Sequence, residues 1–147
     1  MSDTKRILFL CTGNSCRSQM AEGWCRAMGA GAVECASAGL EAHGLNPNAV
    51  QVMREAGVDI SDHASNTVEE VLDGHFNLVV TVCGHAHEHC PAWPGTAEIV
   101  HMPFDDPPAL AREASSDDEA IGHYRRVRDE IREAIATLLV ERTGLGG

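Results

Sequence analysis

Five residues separate Cys11 from Arg17 in the stretch Ile7 to Ser18, ILFLCTGNSCRS. A thiol and a guanidinium at that spacing suit the capture of a tetrahedral oxyanion. The apolar run Ile7-Leu8-Phe9-Leu10 reads as a buried strand ending at the cysteine, and Ser18 opens a helical pattern. Between them Gly13 and Asn14 tolerate unusual backbone angles. The residues Thr12, Gly13, Asn14, Ser15, Cys16, Arg17 and Ser18 are therefore able to curl N–H groups around an anion. The following helix adds its positive end, and Arg17 offers a planar fork to two oxygens. Cys11 lies at the floor of that field. Its thiolate should be favoured, with a pKa well below the free value of about 8.5, and Ser18 is placed to donate a hydrogen bond to the sulfur.

A second group of reactive residues, Cys83-Gly84-His85-Ala86-His87-Glu88-His89-Cys90, follows the continuous apolar pattern of Asn77 to Val82. On one helix these two cysteines would lie about 10 Å apart along the axis. A disulfide needs Cα atoms about 5.5–6 Å apart, so pairing them requires the segment to loop or unwind. Gly84 permits this, and mobility that increases on oxidation is expected. Cys83, His85, His87, His89 and Cys90 are also soft and borderline metal ligands. Alternating histidines splay to opposite sides of an extended segment, which is not the spacing of a closed zinc knuckle. A metal-binding module at Cys83–Cys90 is nonetheless the alternative from a different functional class.

The elements that must position these groups follow one another as strand and helix. Strands are expected at Arg6 to Leu10, Val33 to Ala36, Asn77 to Val82 and Glu98 to Met102. A helix from Ser18 to Met28 carries Met20, Ala21, Trp24 and Met28 at helical spacing. Leu40 to Leu45 reads as a loop. Asn46 caps a second helix that starts with Pro47 and stops at Gly57. Thr67 and Glu70 form a capping-box pattern for a short helix. Asp117 to Thr143 is a long amphipathic helix with Ile121, Tyr124, Val127, Ile131, Ile135 and Leu138 on one face. The alternation predicts a single α/β domain over residues 1–147. It should have three layers: a central parallel four-stranded sheet with helices on both faces, and Cys11 at the carboxyl ends of the strands.

Composition narrows the partners. A net charge of −11 argues against nucleic acid or an anionic membrane, so an oxyanion must be held by local positive structure. No apolar run approaches the roughly 20 residues of a membrane span, and Met1 to Arg6 shows no signal-peptide pattern. With six cysteines and no such signal, a cytoplasmic protein with catalytic thiols is expected rather than a disulfide framework. Cys25 and Cys35 fall within helix and strand patterns and read as small core residues.

Cys11-Thr12-Gly13-Asn14-Ser15-Cys16-Arg17-Ser18 resembles the oxyanion loop of the low-molecular-weight tyrosine phosphatase superfamily. The continuation Gln19-Met20-Ala21-Glu22-Gly23-Trp24 is similar to its thioredoxin-coupled arsenate reductase branch. The resemblance covers nearly the whole chain and implies a low-molecular-weight phosphatase-like fold. It also implies arsenate reduction by a relay, with Cys11 as nucleophile, Cys83 displacing arsenite, and Cys90 carrying the disulfide outward to thioredoxin. Asp106, in Phe104-Asp105-Asp106-Pro107, matches the family's proton donor to the leaving group; Asp105 reads as a solvated turn residue. Phosphate or sulfate should compete with arsenate, and a monomer is expected. Asn14, Glu22 and Ser37 match a potassium site of some members, but Asn66 stands where the family has Asp, and a lost carboxylate weakens a cation site. His63 lies next to that network. The nearest rival is a low-molecular-weight protein tyrosine phosphatase. Such a site usually presents aromatic walls, and this chain has few aromatics to spare.

Overall fold

The structure is a computed structural model that describes residues 5–29, 31–71, 75–83 and 97–143. The described elements are β1 (Lys5–Cys11), α1 (Arg17–Gly29), β2 (Val33–Gly39), α2 (Pro47–Glu55), α3 (Val68–Val71), β3 (Leu78–Thr81), β4 (Glu98–His101), α4 (Pro107–Arg112) and α5 (Asp117–Thr143). The four strands are parallel in the order β2-β1-β3-β4. The order reverses beside β1, which places a crevice at the carboxyl ends of β1 and β3. Ile7, Leu8, Phe9, Leu10 and Cys11 are all buried. Successive strand residues face opposite ways, so β1 is covered on both faces, as its unbroken apolar run requires.

α1 packs along β2 through a few close contacts. Ser37 Oγ donates to Glu22 Oε1 at 2.6 Å. Two turns on, a Cβ at Gly29 would run into Val33 Cγ2. Cys25 and Cys35 sit between these contacts, both buried, as core residues. The Cys35 thiol and burial hold the Cys25 thiol above its ordinary range. α5 buries Tyr124, Val127, Ile131, Ile135 and Leu138, the face its periodicity marks. Trp24 is inserted beneath it and donates Nε1–H to the Arg128 carbonyl at 3.1 Å. Among the described residues, no helix is long and apolar enough to cross a membrane.

Several element ends shift by a residue, and three differences from the sequence expectation stand out. β2 runs on to Gly39 because its last residues pair with the end of β1, Cys11 opposite Gly39. β3 spans only Leu78–Thr81, although Asn77 and Val82 N–H groups at its two ends still donate to Arg6 O and Leu10 O of β1. The third difference is α4, a helix absent from the elements expected from sequence. Asp106 occupies its N-cap position with Pro107 in the first turn; Asn46-Pro47 has the same order of residues, but there the Asn46 side chain also accepts from Asn48 and Ala49 N–H. Proline at the first helical position loses no intrahelical bond and already has the helical φ.

Candidate active site

The strand order brings together two thiols distant in sequence. Cys11 ends β1, and Cys83 lies two residues beyond β3, the neighbouring strand. Val82 N–H extends the pairing to Leu10 O at 2.9 Å. Thr12 Oγ1 then stands 3.3 Å from Cys83 Sγ, and both cysteines are buried.

The loop from Cys11 to Cys16 forms a cup because its carbonyls are engaged on the outer side. Leu40 N–H donates to Cys11 O at 3.2 Å, and Glu41, His43 and Asn46 N–H groups donate to Thr12, Gly13 and Ser15 O at 2.9 Å each. Asn14 O accepts from Gln19 Nε2 and Ser65 Oγ, both at 3.0 Å. Cys16 O accepts from Met20 N–H at 2.9 Å within α1. In a trans peptide the carbonyl and the next N–H point opposite ways. Anchoring the carbonyls outside therefore turns the N–H groups inward, where they and the start of α1 face a cavity of about 290 Å³.

Asn14 holds this shape from inside the wall. It takes a left-handed φ of 48°, a region Asn tolerates better than most residues; Gly13 does not use it. Asn14 Nδ2 donates to Ser37 O at 3.3 Å, and its Oδ1 accepts from Ser18 Oγ at 2.9 Å. Ser18 thus braces Asn14 rather than donating to the Cys11 sulfur.

Arg17 is fixed by Nη1–H donation to Phe104 O at 3.0 Å. Its Nη2 is 3.7 Å from Asp106 Oδ1. Among the described residues, its buried Nε has no hydrogen-bond partner, so the Nε–Nη2 edge remains for an anion's oxygens. The adjacent carboxylates part company. Asp106 lines the cavity beside Arg17, whereas Asp105 pairs with Arg126 of α5 at 3.1 Å.

One electrostatic expectation is reversed. The Cys83 thiol beside it, followed by burial, pushes the Cys11 thiol above the ordinary range. The charge of Arg17 and the Thr12 N–H pull the other way without prevailing. Two neighbouring buried thiols cannot both ionise cheaply, and burial disfavours the first thiolate. Cys16 is likewise pushed up, to about 12, by burial, which suits a structural residue rather than a second nucleophile.

A strand-end cysteine, a backbone cup, an arginine fork and an aspartate on the facing turn together make an oxyanion-transfer site. The sequence profile of the low molecular weight phosphotyrosine protein phosphatases matches residues 6–145. The chain belongs to that family. An arsenate reductase of Halalkalibacterium halodurans is 53% identical over 133 residues, covering 90% of this chain and 94% of its own. One from Bacillus subtilis is 48% identical over 129 residues, covering 88% and 91%. A solved arsenate reductase in a phosphate-binding state superposes with a TM-score of 0.74 at 29% identity, over 93% of this chain and 98% of that one.

The residues that the resemblance offers for potassium come together here, but their donors do not suit the ion. Glu22 already accepts from Ser37 Oγ and from Arg26 Nε at 2.7 Å. Asn14 and Asn66 direct their amide N–H groups, not their oxygens, at Ser37 O. Arg26 supplies the positive charge the carboxylate needs, and His63 joins the network through Gln19 Oε1 at 3.0 Å. Among the described residues, His43, Arg112 and Pro108 line the cavity with the cup residues, while Phe9, Trp24 and Tyr124 are buried in the core.

Residues 40–46, His43, Arg112, Gln19 and Ser65 escape sequence reasoning. Their roles depend on chain segments meeting, and only His43-Gly44, a turn-prone dipeptide, gives a local hint. Cys90, His85, His87 and His89, and with them the metal-binding alternative and the expected mobility, lie outside the described residues.

Proposed function

We propose that this chain reduces arsenate to arsenite through Cys11, Cys83 and Cys90, with thioredoxin as the reductant. The observation that carries this is the second buried thiol at the cup: a phosphatase needs only Cys11, whereas reduction needs a sulfur that can attack it. The reductases among its relatives support the same reading.

The raised Cys11 thiol makes the substrate itself a suitable base. Arsenate dianion entering the cup takes the thiol proton, leaving a thiolate and a monoanion held by the inward N–H groups and the Nε–Nη2 edge of Arg17. The thiolate attacks arsenic, and Asp106 protonates the departing hydroxide to water. Cys83, deprotonated to solvent, attacks Cys11 Sγ. The sulfur–sulfur bond forms as the sulfur–arsenic bond breaks, and its electron pair stays on arsenic, which leaves as arsenite. Cys90 then attacks Cys83, frees Cys11, and leaves a Cys83–Cys90 disulfide for a dithiol donor. Every part belongs to one chain, so a monomer suffices. Because arsenate and phosphate share a tetrahedral shape, slow hydrolysis of aryl phosphates accompanies reduction.

The test is arsenate-dependent NADPH oxidation with thioredoxin and its reductase. Wild type should turn over continuously, and Cys90→Ser should stop after about one equivalent. Hydrolysis of an aryl phosphate by both proteins, with no NADPH consumed by either, would show a phosphatase instead.

A further inference from the structure

We propose that Cys25 and Cys35 form a second thiol pair, separate from Cys11 and Cys83, which hydrogen peroxide closes to a disulfide between α1 and β2. Neither thiol enters the arsenate relay, and the pair would exist equally in a phosphatase.

α1 and β2 run side by side in opposite directions, and two contacts fix their register. At one end Ser37 Oγ donates to Glu22 Oε1 at 2.6 Å. At the other, Gly29 lies so near Val33 that a Cβ would run into Val33 Cγ2. Residues 22, 25 and 29 share one face of the helix, and residues 33, 35 and 37 share one face of the strand. Cys25 therefore comes opposite Cys35, midway between the two flanking contacts. The missing side chain at Gly29 brings helix and strand close, the kind of approach that a disulfide requires, with Cα atoms about 5.5–6 Å apart. The two thiols are within hydrogen-bonding reach, and this contact, followed by burial, keeps the Cys25 proton in place.

Access to the two sulfurs differs. Cys25 is fully buried, whereas Cys35 is 7% exposed and lines a surface cavity of about 400 Å³ with Arg6, Arg26, Val33 and Glu34. A small neutral oxidant reaches Cys35 first. The Cys35 sulfur attacks one peroxide oxygen, the O–O bond breaks, and the other oxygen leaves as water with the thiol proton, giving a sulfenic acid. The Cys25 sulfur then attacks the sulfenic sulfur. The S–S bond forms as the S–O bond breaks, and the departing hydroxide takes the Cys25 proton and leaves as water. Two thiols and one peroxide become one disulfide and two waters. Neither cysteine lines the Cys11 cavity, so closing this bond ties α1 to β2 without filling the cup.

Trypsin separates these two cysteines from all the others: Cys25 falls in Ser18–Arg26 and Cys35 in Ala27–Arg54, and neither peptide holds another cysteine. The reduced full-length chain is treated with hydrogen peroxide under native conditions, excess peroxide is removed by catalase, and free thiols are alkylated as the chain is unfolded. Mapped without reduction by mass spectrometry, the two peptides should appear joined, with the free thiols of Cys25 and Cys35 lost one for one. In Cys25→Ser, dimedone should instead capture Cys35 as the sulfenic acid. In Cys35→Ser, Cys25 should stay a free thiol. The proposal is overturned by a wild-type map in which both thiols stay free once Cys11 is oxidised, in which Cys35 reaches the sulfinic acid beside a free Cys25, or in which Cys35 joins another cysteine. A pair that forms only in the unfolded chain overturns it too. The wild-type map decides the matter even where a variant does not fold.

Discussion

Replacing Cys83 with serine should end arsenite production while sparing the first half of the chemistry. A serine hydroxyl occupies nearly the same space beside Thr12 Oγ1 but is a far poorer nucleophile toward sulfur than a thiol. The arsenylated Cys11 would then have no internal sulfur to resolve it, and arsenite release should fall at least about 10³-fold. Aryl phosphate hydrolysis, which uses Cys11, Arg17 and Asp106 alone, should persist. The variant also separates electrostatics from chemistry. The Cys83 thiol is the largest influence raising Cys11, so its removal should shift the pH profile of Cys11 alkylation toward lower pH. Arsenite release at the wild-type rate, or an unmoved alkylation profile, would refute the role given to this thiol.

Gly39→Ala should be the most damaging single methyl group among the described glycines. Gly39 pairs with Cys11 at the end of the sheet, where the loop at residues 12–14 and the segment after β2 pass back to back. An added Cβ would run into Glu41 O and stand 2.7 Å from both Asn14 N and Thr12 O. All three are backbone atoms, so no side chain can swing away. Overpacking of this kind costs about 1–3 kcal/mol or more, and here relief requires separating the 40–46 segment from the cup. Thermal unfolding should show a drop of several degrees, and phosphate should lose its stabilising effect on what remains folded. Gly122→Ala is the contrast: in α5 nothing lies within 4 Å of the place its methyl would take, and it should raise stability by about 0.5–1 kcal/mol. Equal melting temperatures for Gly39→Ala and wild type would contradict the packing described.

The parts of the site that lie on consecutive residues are legible without the fold. Ile7 to Leu10 announces a strand covered on both faces, and the Cys11–Ser18 spacing announces the anion loop, because the strand, the turn and the helix that build them are local. The long helix is legible for the same reason: its apolar face repeats along its whole length. What escapes depends on other segments. The direction of the Cys11 thiol's shift turns on Cys83, far away in the chain and brought near by β1–β3 pairing. Ser18 reads as a partner for sulfur until Asn14, braced from β2, takes its hydroxyl. α4 escapes although Asp106-Pro107 repeats the Asn46-Pro47 signal, because an acid before proline reads as a proton donor before it reads as a cap. Asp106 stands at the N-cap without a side-chain cap bond, which leaves its carboxylate beside Arg17.

The most direct measurement is to mix Cys90→Ser with one equivalent of arsenate, quench by acid, and map its disulfides while counting arsenite. The relay requires one Cys11–Cys83 disulfide and one arsenite per chain, formed together. A chain that keeps both thiols free, or that releases arsenite with Cys11 joined to any other cysteine, would contradict it.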